Sequence, residues 1–536
     1  MSTKTSRAFR WAVMPVGALA AISLLAACSS SPAQDDAAPL ESSKDTIVFA
    51  IKEDPTCLDP QLTSLTTSLN IGRQVVDSLV DQNPETGEIV PWLAESYETN
   101  DDLSAFTFTL RDDVTFSDGT PLTANVVKAN LDSLIALGKT APLASQFLAG
   151  YVGTDVTDDL NFTVNFSAPN APFLQGASTM TLGIVSEATA AEAADVRCTA
   201  GPIGSGSFVY DAYTPNDSVS IVKREGYDWP SELREHTGEA LVSTIEFPVI
   251  TENGVRTGGL ESGEFDIIQD LPYIDEARFT TDDYNLYAAA NTGVPNSLIP
   301  NTTRAIVSDE AVRKAMLLGT DREEINLLTG SVSGQPATSA LTSSTSGFES
   351  QAEATAYDPD AAEELLDDAG WEMGSDGIRE KDGTKLAVTV TAFYAQDVLE
   401  ATQIQLKKIG IDLQLKMVTS GDFFGAVASG DYDFLAAGLT RSDPDALRVL
   451  FSSASAAKWG IVDDAELESI LLEQAATADT ADRQALIDQA QEVIIDKAYL
   501  VPMLETTQLH ASVSTVAGIT FDSASRVQLY DVRASE

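Results

Sequence analysis

The chain has 536 residues, of which 43% are hydrophobic, and its 81 acidic and 32 basic residues give a formal net charge of -49. This length exceeds what one hydrophobic core usually supports, so we expect two or three lobes. The charge argues against nucleic-acid binding, which requires clustered Lys and Arg, and it favours a soluble monomer.

The first residues have the pattern of an export signal. Lys4, Arg7 and Arg10 precede an apolar run over 11–27 that contains no charged residue. The run is short for a membrane-spanning helix and is interrupted by Pro15, whereas its length suits the apolar part of a signal peptide. We therefore expect the protein to be exported.

Cys28 follows this run directly, after Leu-Ala-Ala, and the ending resembles the bacterial lipobox. The resemblance implies a signal peptide over 1–27 and a lipid on Cys28 that holds the protein at the outer face of the cytoplasmic membrane. An ordinary signal peptide with a cysteine near its cleavage site is the alternative. Residues 28–45 are rich in Ser, Ala, Pro and Asp, and they predict a flexible tether before a folded part that begins near Asp45.

The other two cysteines are Cys57 and Cys198. In an exported protein such a pair can form a disulfide, which here would tie distant segments together. Spacing alone does not establish contact, so two buried free thiols are the competing interpretation. We expect the disulfide.

Alternation of apolar and polar residues predicts strands in the first half of the chain, because a period of two places every second side chain on one face. It occurs at 47–51, 106–110 and 162–166. Between the last two segments, Thr123 can cap a helix whose apolar residues recur at helical spacing.

The second half of the chain continues with helices and strands. Thr320 and Glu323 form a capping box for one helix, and Asp358 opens another that Gly370 closes. Further strands are predicted at 386–390, 411–417 and 434–437. The mixture of short strands and helices predicts an α/β architecture.

Residues for catalysis or metal binding are scarce. His236 and His510 are the only histidines, so the sequence contains no HExxH motif, and no conventional catalytic triad can form without one of them. It also lacks a GxSxG elbow and a phosphate-binding loop, and the glycine-rich run at 204–207 is interpreted as a chain crossing between lobes. Carboxylate pairs are plentiful by chance among the acidic residues. We expect no enzymatic activity, no cofactor and no metal site.

An ordered set of sequence blocks extends over nearly the whole mature chain. Two of them are PWLAESY at 91–97 and VTFSDGTPLT at 114–123. The others lie at 55–60, 79–80, 106–111, 201–208, 312–315, 321–322, 361–371 and 430–433. Their order and spacing resemble those of the family 5 extracellular solute-binding proteins of ABC transporters, the peptide and nickel group.

The resemblance implies a two-lobed periplasmic-binding-protein-like fold of class II, cluster C type, with an extra small domain inserted in the first lobe. The implied ranges are 46–75, 197–290 and 505–536 for lobe I, 76–196 for the inserted domain and 291–504 for lobe II. Such a protein captures a small solute between its lobes by hinge closure and delivers it to the permease and ATPase subunits of an importer. A secreted hydrolase and a surface receptor without transport are the alternatives.

The ligand-binding residues are harder to assign. Peptide-binding members of the family hold the peptide's amino terminus with an aspartate in the segment that matches 438–445, and here that segment offers Arg441, Asp443 and Asp445 with altered spacing. Asp443 either anchors a ligand or caps the helix that follows. Arg441 can pair with a ligand carboxylate, with Asp443 or with Asp445.

Tyr394 and Trp229 are aromatic candidates for the cleft wall, although such residues more often lie in cores. Bare nickel is disfavoured as a ligand, because two histidines cannot supply the imidazoles that it prefers. Peptides, opines, sugars and chelated metals all remain open.

Overall fold

The computed structural model describes residues 40–453, 455 and 459–535. The predicted signal peptide, Cys28 and residues 29–39 of the predicted tether lie outside the described residues. Of the helices within those ranges, none combines the length and the hydropathy that a bilayer span requires.

The last residues of the predicted tether belong to the folded protein. The backbone N–H of Ser43 donates to the carbonyl of Ala534 at 2.8 Å, and the N–H of Ala534 donates to Ser42 Oγ at 3.0 Å. Lys44 Nζ lies 2.6 Å from a carboxylate oxygen of Asp266. The folded part therefore begins a few residues before the predicted start.

The first sheet is mixed, and all of its strands fall within the ranges predicted for lobe I. Its strand order is Tyr284–Ala290, Thr507–Val513, Ile267–Gln269, Thr46–Ala50, Thr244–Pro248, Ser218–Lys223 and Phe208–Thr214. The strand Thr46–Ala50 pairs in parallel with both of its neighbours. Ile47 and Phe49 of this strand are buried, as their alternation with exposed positions predicts.

The second sheet is also mixed, and its strands fall within the range predicted for lobe II except for Glu505, the last residue of one strand. The strand order is Gln335–Pro336, Val501–Glu505, Gly293–Pro300, Phe434–Thr440, Ala387–Ala392 and Asp412–Met417. The last three strands of this order are parallel to one another, so their carboxyl ends meet at one edge.

The third sheet is antiparallel and lies within the predicted inserted domain. Its strand order is Ala94–Thr99, Ala105–Leu110, Asn161–Phe166 and Tyr151–Val156. Buried side chains such as Phe106 and Phe162 belong to one hydrophobic cluster with Ile47 of the first sheet, whereas the second sheet packs in a separate cluster. The α/β fold is confirmed, and the lobe boundaries stay predictions with which the sheets agree.

Helices surround these sheets. In the first lobe and the inserted domain they are Thr66–Gly72, Ala124–Leu137, Ala144–Phe147, Phe173–Ser178, Glu187–Ala191, Ala194–Ala200 and Asn253–Ser262. In the second lobe they are Glu310–Leu318, Arg322–Thr329, Pro359–Asp368, Gln396–Lys408, Ser420–Ser429, Ala446–Phe451, Ala465–Ala475 and Thr480–Asp496. Short 3-10 helices occur at Pro60–Leu62, Gly138–Thr140, Met180–Leu182 and Tyr273–Phe279. Small sheets pair Val80–Gln82 with Ile89–Pro91, Arg379–Lys381 with both Glu372–Met373 and Thr384–Lys385, Val516–Ala517 with Arg533–Ala534, and Thr520–Phe521 with Val527–Gln528.

Two of the three predicted helix starts are confirmed. Thr123 Oγ1 accepts a hydrogen bond from the N–H of Val126 at 3.4 Å, and Asp358 Oδ1 accepts one from Ala361 at 2.9 Å. Each side chain satisfies a backbone donor that the first helical turn leaves free.

The capping box at Thr320 and Glu323 was wrong. Thr320 Oγ1 donates to the carbonyl of Met316 at 2.8 Å, so it belongs to the end of the preceding helix. Asp321 is the cap instead, because its carboxylate accepts from the N–H of Glu324 at 2.9 Å. A carboxylate one residue later therefore replaces the hydroxyl that the pattern favoured.

Two chain crossings between the first and second sheets lie side by side. One runs from the strand Tyr284–Ala290 to Gly293–Pro300, and the other from Val501–Glu505 to Thr507–Val513. Asn291 joins them, since its N–H donates to the Thr506 carbonyl at 2.9 Å and its side chain donates to Thr506 Oγ1 at 2.9 Å. Paired crossings of this kind form the hinge of a two-lobed protein.

Cys57 and Cys198 are joined by a disulfide across a sequence separation of 141 residues. The glycine-rich run at 204–207, by contrast, does not pass to the second lobe as expected. It packs against Val75, and a Cβ atom at Gly204 would lie 2.0 Å from the Val75 carbonyl oxygen. Glycine is needed there because two backbone segments approach too closely for a side chain.

Candidate functional site

The carboxyl edge of the parallel strands in the second sheet carries several of the predicted site residues. Tyr394 follows the strand Ala387–Ala392, and the segment 441–445 follows Phe434–Thr440. The Tyr394 side chain contacts the neighbouring strand near its end, because the N–H of Gly438 donates to the Tyr394 hydroxyl at 3.1 Å. Open α/β sheets bind ligands outside the carboxyl ends of their strands, so this edge is the candidate site.

Arg441 connects the second lobe to the inserted domain. Its Nη2 donates to Gln146 Oε1 at 2.8 Å, and its guanidinium lies 4.2 Å from the centre of the Phe147 ring. The side chain is buried by these contacts. Arg441 therefore pairs with neither Asp443 nor Asp445 directly, and it holds the two parts of the protein together in this conformation.

Asp443 is occupied by an ion pair. Its Oδ1 lies 2.6 Å from Arg483 Nη2, its Oδ2 lies 3.1 Å from Arg483 Nη1, and the N–H of Asp445 donates to Oδ1 at 2.8 Å. Burial favours a higher pKa for the Asp443 carboxyl, but the charge and hydrogen bonds of Arg483 outweigh it and hold that pKa below its ordinary value. Asp443 thus closes the turn before the next helix and neutralises Arg483.

Asp445 is fully buried and also satisfied internally. Its two carboxylate oxygens accept from Arg448 at 2.6 and 2.7 Å, and Gln474 Nε2 donates to Oδ1 at 2.6 Å. Asp445 therefore holds the segment 441–445 against the two helices that carry Arg448 and Gln474.

The two aromatic candidates lie in different environments. Trp229 is buried in the first core, where Nε1 donates to Asp77 Oδ2 at 3.1 Å and the Arg224 guanidinium covers its ring at 4.8 Å. Tyr394 is exposed at the sheet edge, and its ring packs edge-on against Phe393 at 4.8 Å. The structure thus places Trp229 in a core rather than on a cleft wall.

A cavity of about 440 Å³ lies between the inserted domain and the second lobe. One wall comes from the hairpin at 82–89 and from residues 171–175, which lead into the helix Phe173–Ser178, and the other comes from Ser346, the segment 442–444 and the helix at 480–487. The Asp443–Arg483 pair belongs to the second wall. The sequence-predicted segment and Arg483, which is far from it in sequence, therefore line the same half-open cavity.

Two glutamines of the first wall have unused acceptors. The side-chain oxygens of Gln82 and Gln175 are buried, and neither has a hydrogen-bond partner among the described residues. Gln82 Nε2 donates to the Gly87 carbonyl at 3.0 Å, which fixes the orientation of that amide. Because buried carbonyl oxygens normally accept a hydrogen bond, this wall suits a group that carries N–H or O–H donors.

Metal-binding side chains are not grouped at this site. Within residues 40–453 and 459–535, no three His, Cys, Asp or Glu side chains come together in a way that could hold an ion. The polar groups of the cavity are amides, hydroxyls, the Asp443–Arg483 ion pair and the carboxylate of Glu88.

Residues 88–460 match the family described as bacterial extracellular solute-binding proteins, family 5 Middle. The chain belongs to this family. It is 23% identical over 503 residues to a probable D,D-dipeptide-binding periplasmic protein of Escherichia coli, a match that covers 89% of this chain and 92% of the relative. It is 25% identical over 487 residues to a glutathione-binding protein of Escherichia coli, with 88% and 91% covered.

The fold of this family 5 protein agrees with that of solved structures. A crystal structure of NikA from Brucella suis in complex with Fe(III)-EDTA superposes with a TM-score of 0.79 at 23% identity, over 91% of this chain and 100% of that chain. The relatives are binding proteins of ABC transporters and not enzymes, and family 5 binding proteins are periplasmic or extracellular.

The family resemblance pointed to Asp443 but gave no indication of Arg483, Gln82 or Gln175. Arg483 lies 40 positions from its carboxylate partner, and Gln82 and Gln175 occur in no recognisable motif. Only their places in the folded chain bring them together, so a single sequence carries no signal for them.

Proposed function

We propose that the chain is the substrate-binding subunit of an ABC importer and that it captures a peptide-like solute in the cavity between the inserted domain and the second lobe. The observation that carries this proposal is the half-open cavity of about 440 Å³ with walls from both parts of the protein. Its size falls within the usual range for small-molecule sites. Contacts across the same interface, such as Arg441 with Gln146, would form and break as the lobes close and open.

Two residues that line the cavity have acceptors without partners, and these favour a ligand with N–H donors. Peptide amides and ammonium groups can donate to the side-chain oxygens of Gln82 and Gln175, which lack partners among the described residues. Relatives named for D,D-dipeptides and glutathione bind ligands of this class. Asp443 is already paired with Arg483, so Asp443 does not serve as a free acidic anchor here.

Replacing Gln175 with leucine should weaken binding of the natural ligand by about tenfold, because one buried donor of the ligand would lose its acceptor. The ligand is identified first by mass spectrometry of material released from natively purified protein, and calorimetry then compares the variants. Gln414→Leu is the control, since Gln414 is exposed and outside the cavity wall. A released ligand without N–H donors, or an affinity of Gln175→Leu within about twofold of wild type, would refute the proposed ligand class.

The membrane attachment is a second part of the proposal. We infer that Cys28 carries the lipid that keeps the binding protein beside its permease. Cys28→Ser should move the protein from the membrane fraction to the medium or periplasm without changing its melting temperature, because the contacts described for the fold involve residues from Ser42 onward. Cell fractionation followed by a high-salt wash measures the effect, and continued membrane retention would contradict it.

A further inference from the structure

Glu88 brings an unpaired carboxylate to the cavity between the inserted domain and the second lobe. The residue is exposed, and no hydrogen bond or ion pair reaches its carboxylate among the described residues. Its backbone is held in place, because the Asn83 N–H donates to the Glu88 carbonyl at 2.9 Å and the Glu88 N–H donates to Thr86 Oγ1 at 3.3 Å. A hydrogen-bonded loop therefore presents a free negative charge at the cavity wall.

The other charges of the cavity neutralise each other. Of the described residues that line it, only Glu88, Asp443 and Arg483 are ionisable. The Arg483 guanidinium donates to the two Asp443 oxygens at 2.6 and 3.1 Å, and its Nε donates to the Gln474 carbonyl at 3.2 Å. A ligand carboxylate thus meets no free cation in this lining, which keeps the single negative charge of Glu88.

Aliphatic side chains belong to the same lining as this carboxylate. Ile89 follows Glu88 directly in the chain, Leu174 belongs to the helix Phe173–Ser178, and Ile487 belongs to a helix of the second lobe. Long cationic side chains bury their methylene stems along apolar surface and keep the charged end at a polar group. The cavity therefore offers both surfaces that such a side chain needs.

The amides of the first wall also favour a donor. The buried side-chain oxygens of Gln82 and Gln175 have no partner among the described residues, and Gln82 Nε2 already donates to the Gly87 carbonyl at 3.0 Å. Ammonium and guanidinium groups are hydrogen-bond donors only. Free acceptors and one negative charge together therefore suit a cation.

We propose that the cavity selects a solute with a cationic group on an aliphatic stem and that Glu88 holds this group. Lysine, ornithine and arginine side chains in a peptide-like solute have this chemistry. The proposal rests on the proposed transport function and adds the charge of the captured solute to it. An anionic solute of the same size is disfavoured, because Glu88 repels it and Arg483 is already paired.

Two matched peptides test the charge selection by calorimetry on the ligand-free, full-length protein. Ala-Lys-Ala carries the cationic stem, and the same peptide with Nε-acetyl-lysine keeps the stem but has no side-chain charge. We expect the acetylated peptide to bind wild type at least about fivefold more weakly. In Glu88→Gln, which keeps the size and an acceptor, this difference should fall below about twofold, and added salt should change the affinity less than in wild type.

Glu85→Gln is the matched control variant. Glu85 is exposed in the same hairpin loop but does not line the cavity, so both peptides should bind this variant as they bind wild type. Melting temperatures of both variants report whether the fold is intact. Mass spectrometry of the ligand released from natively purified protein gives an independent readout, and we expect a solute with a cationic side group.

Several results would overturn the charge selection: equal affinities of the two peptides for wild type, no binding of Ala-Lys-Ala, or a released ligand without a cationic side group. A preference for the lysine peptide that survives in Glu88→Gln, or an equal loss in Glu85→Gln, would remove Glu88 from this role. A released neutral peptide would leave the transport function standing. Absence of any released or bound solute would refute the transport function itself.

Discussion

Replacing Arg197 with methionine should lower the free energy of unfolding by about 3–5 kcal/mol, because it leaves the Asp59 carboxylate buried without its cation. Arg197 Nε lies 2.8 Å from Asp59 Oδ2, and both side chains are completely buried. Arg197 also donates to Gln61 Oε1. Chemical denaturation followed by circular dichroism measures the loss.

Two control variants test whether the loss of stability comes from the unpaired buried charge of Asp59. Arg111→Met removes a partner of Asp113 from a surface pair and should change stability by less than about 1 kcal/mol. Adding Asp59→Asn to Arg197→Met should recover most of the loss, because the amide keeps its bond with the Gln61 N–H and carries no charge. If Arg197→Met behaved like the surface control, the buried pair would have no structural importance.

The position of this pair explains why its effect should be large. Asp59 precedes the turn Pro60–Leu62 near the start of the first lobe, and Arg197 lies in the helix Ala194–Ala200 where the inserted domain ends. The disulfide between Cys57 and Cys198 joins the same two segments. Burial raises the pKa of Asp59, and Arg197 together with the Gln61 N–H opposes that shift, so the loss of the guanidinium removes the main group that stabilises the buried charge.

Local features of the fold could be predicted from the sequence, because they depend on residues close together in the chain. Thr123 and Asp358 cap their helices as expected, since a capping side chain bonds a backbone N–H only two or three residues away. The alternation at Ile47 and Phe49 likewise reports a half-buried strand. Thr320 failed because both Thr320 and Asp321 can cap, and pattern alone does not rank neighbouring candidates.

The site could be predicted only in part, because its polar contacts join residues distant in sequence. The sequence indicated the segment 441–445 through a family resemblance, but Arg441 bonds to Gln146 and Asp443 to Arg483. Trp229 was a plausible cleft residue by type, and it is buried between Asp77 and Arg224. Long-range pairing of charges is set by the folded chain and leaves no periodic signal.

Asp443→Ala should lower the free energy of unfolding by about 3 kcal/mol, because it leaves the largely buried Arg483 guanidinium without its carboxylate. The side chains of this pair are 10% and 17% exposed, so solvent screens their interaction only weakly. Asp443→Asn should cost less, since an amide can still accept from the Asp445 N–H and from Arg483. Denaturation of both variants beside Asp113→Ala, which breaks a surface pair, measures the difference.

The stability that Asp443→Ala loses relative to wild type should also depend on pH. The folded-state pKa of Asp443 is lowered, so its ion pair contributes stability that is fully present above the unfolded pKa of about 4 and is lost as pH falls through the folded value. The stability gap between wild type and Asp443→Ala should therefore be largest near neutral pH and should shrink in acid. A gap that stays constant down to about pH 2 would contradict the ion pair.

Ligand affinity separates this structural role from direct contact with the ligand. If Asp443 held a ligand ammonium group, Asp443→Asn would weaken binding by tenfold or more at unchanged stability, since a charge-assisted bond contributes about 1.5–3 kcal/mol. Because Arg483 already occupies both carboxylate oxygens, we expect the opposite pattern: lower stability, and an affinity that changes less than about tenfold when measured on folded protein. Calorimetry with the released ligand at neutral pH decides between them, and a large affinity loss at wild-type stability would make Asp443 the anchor after all.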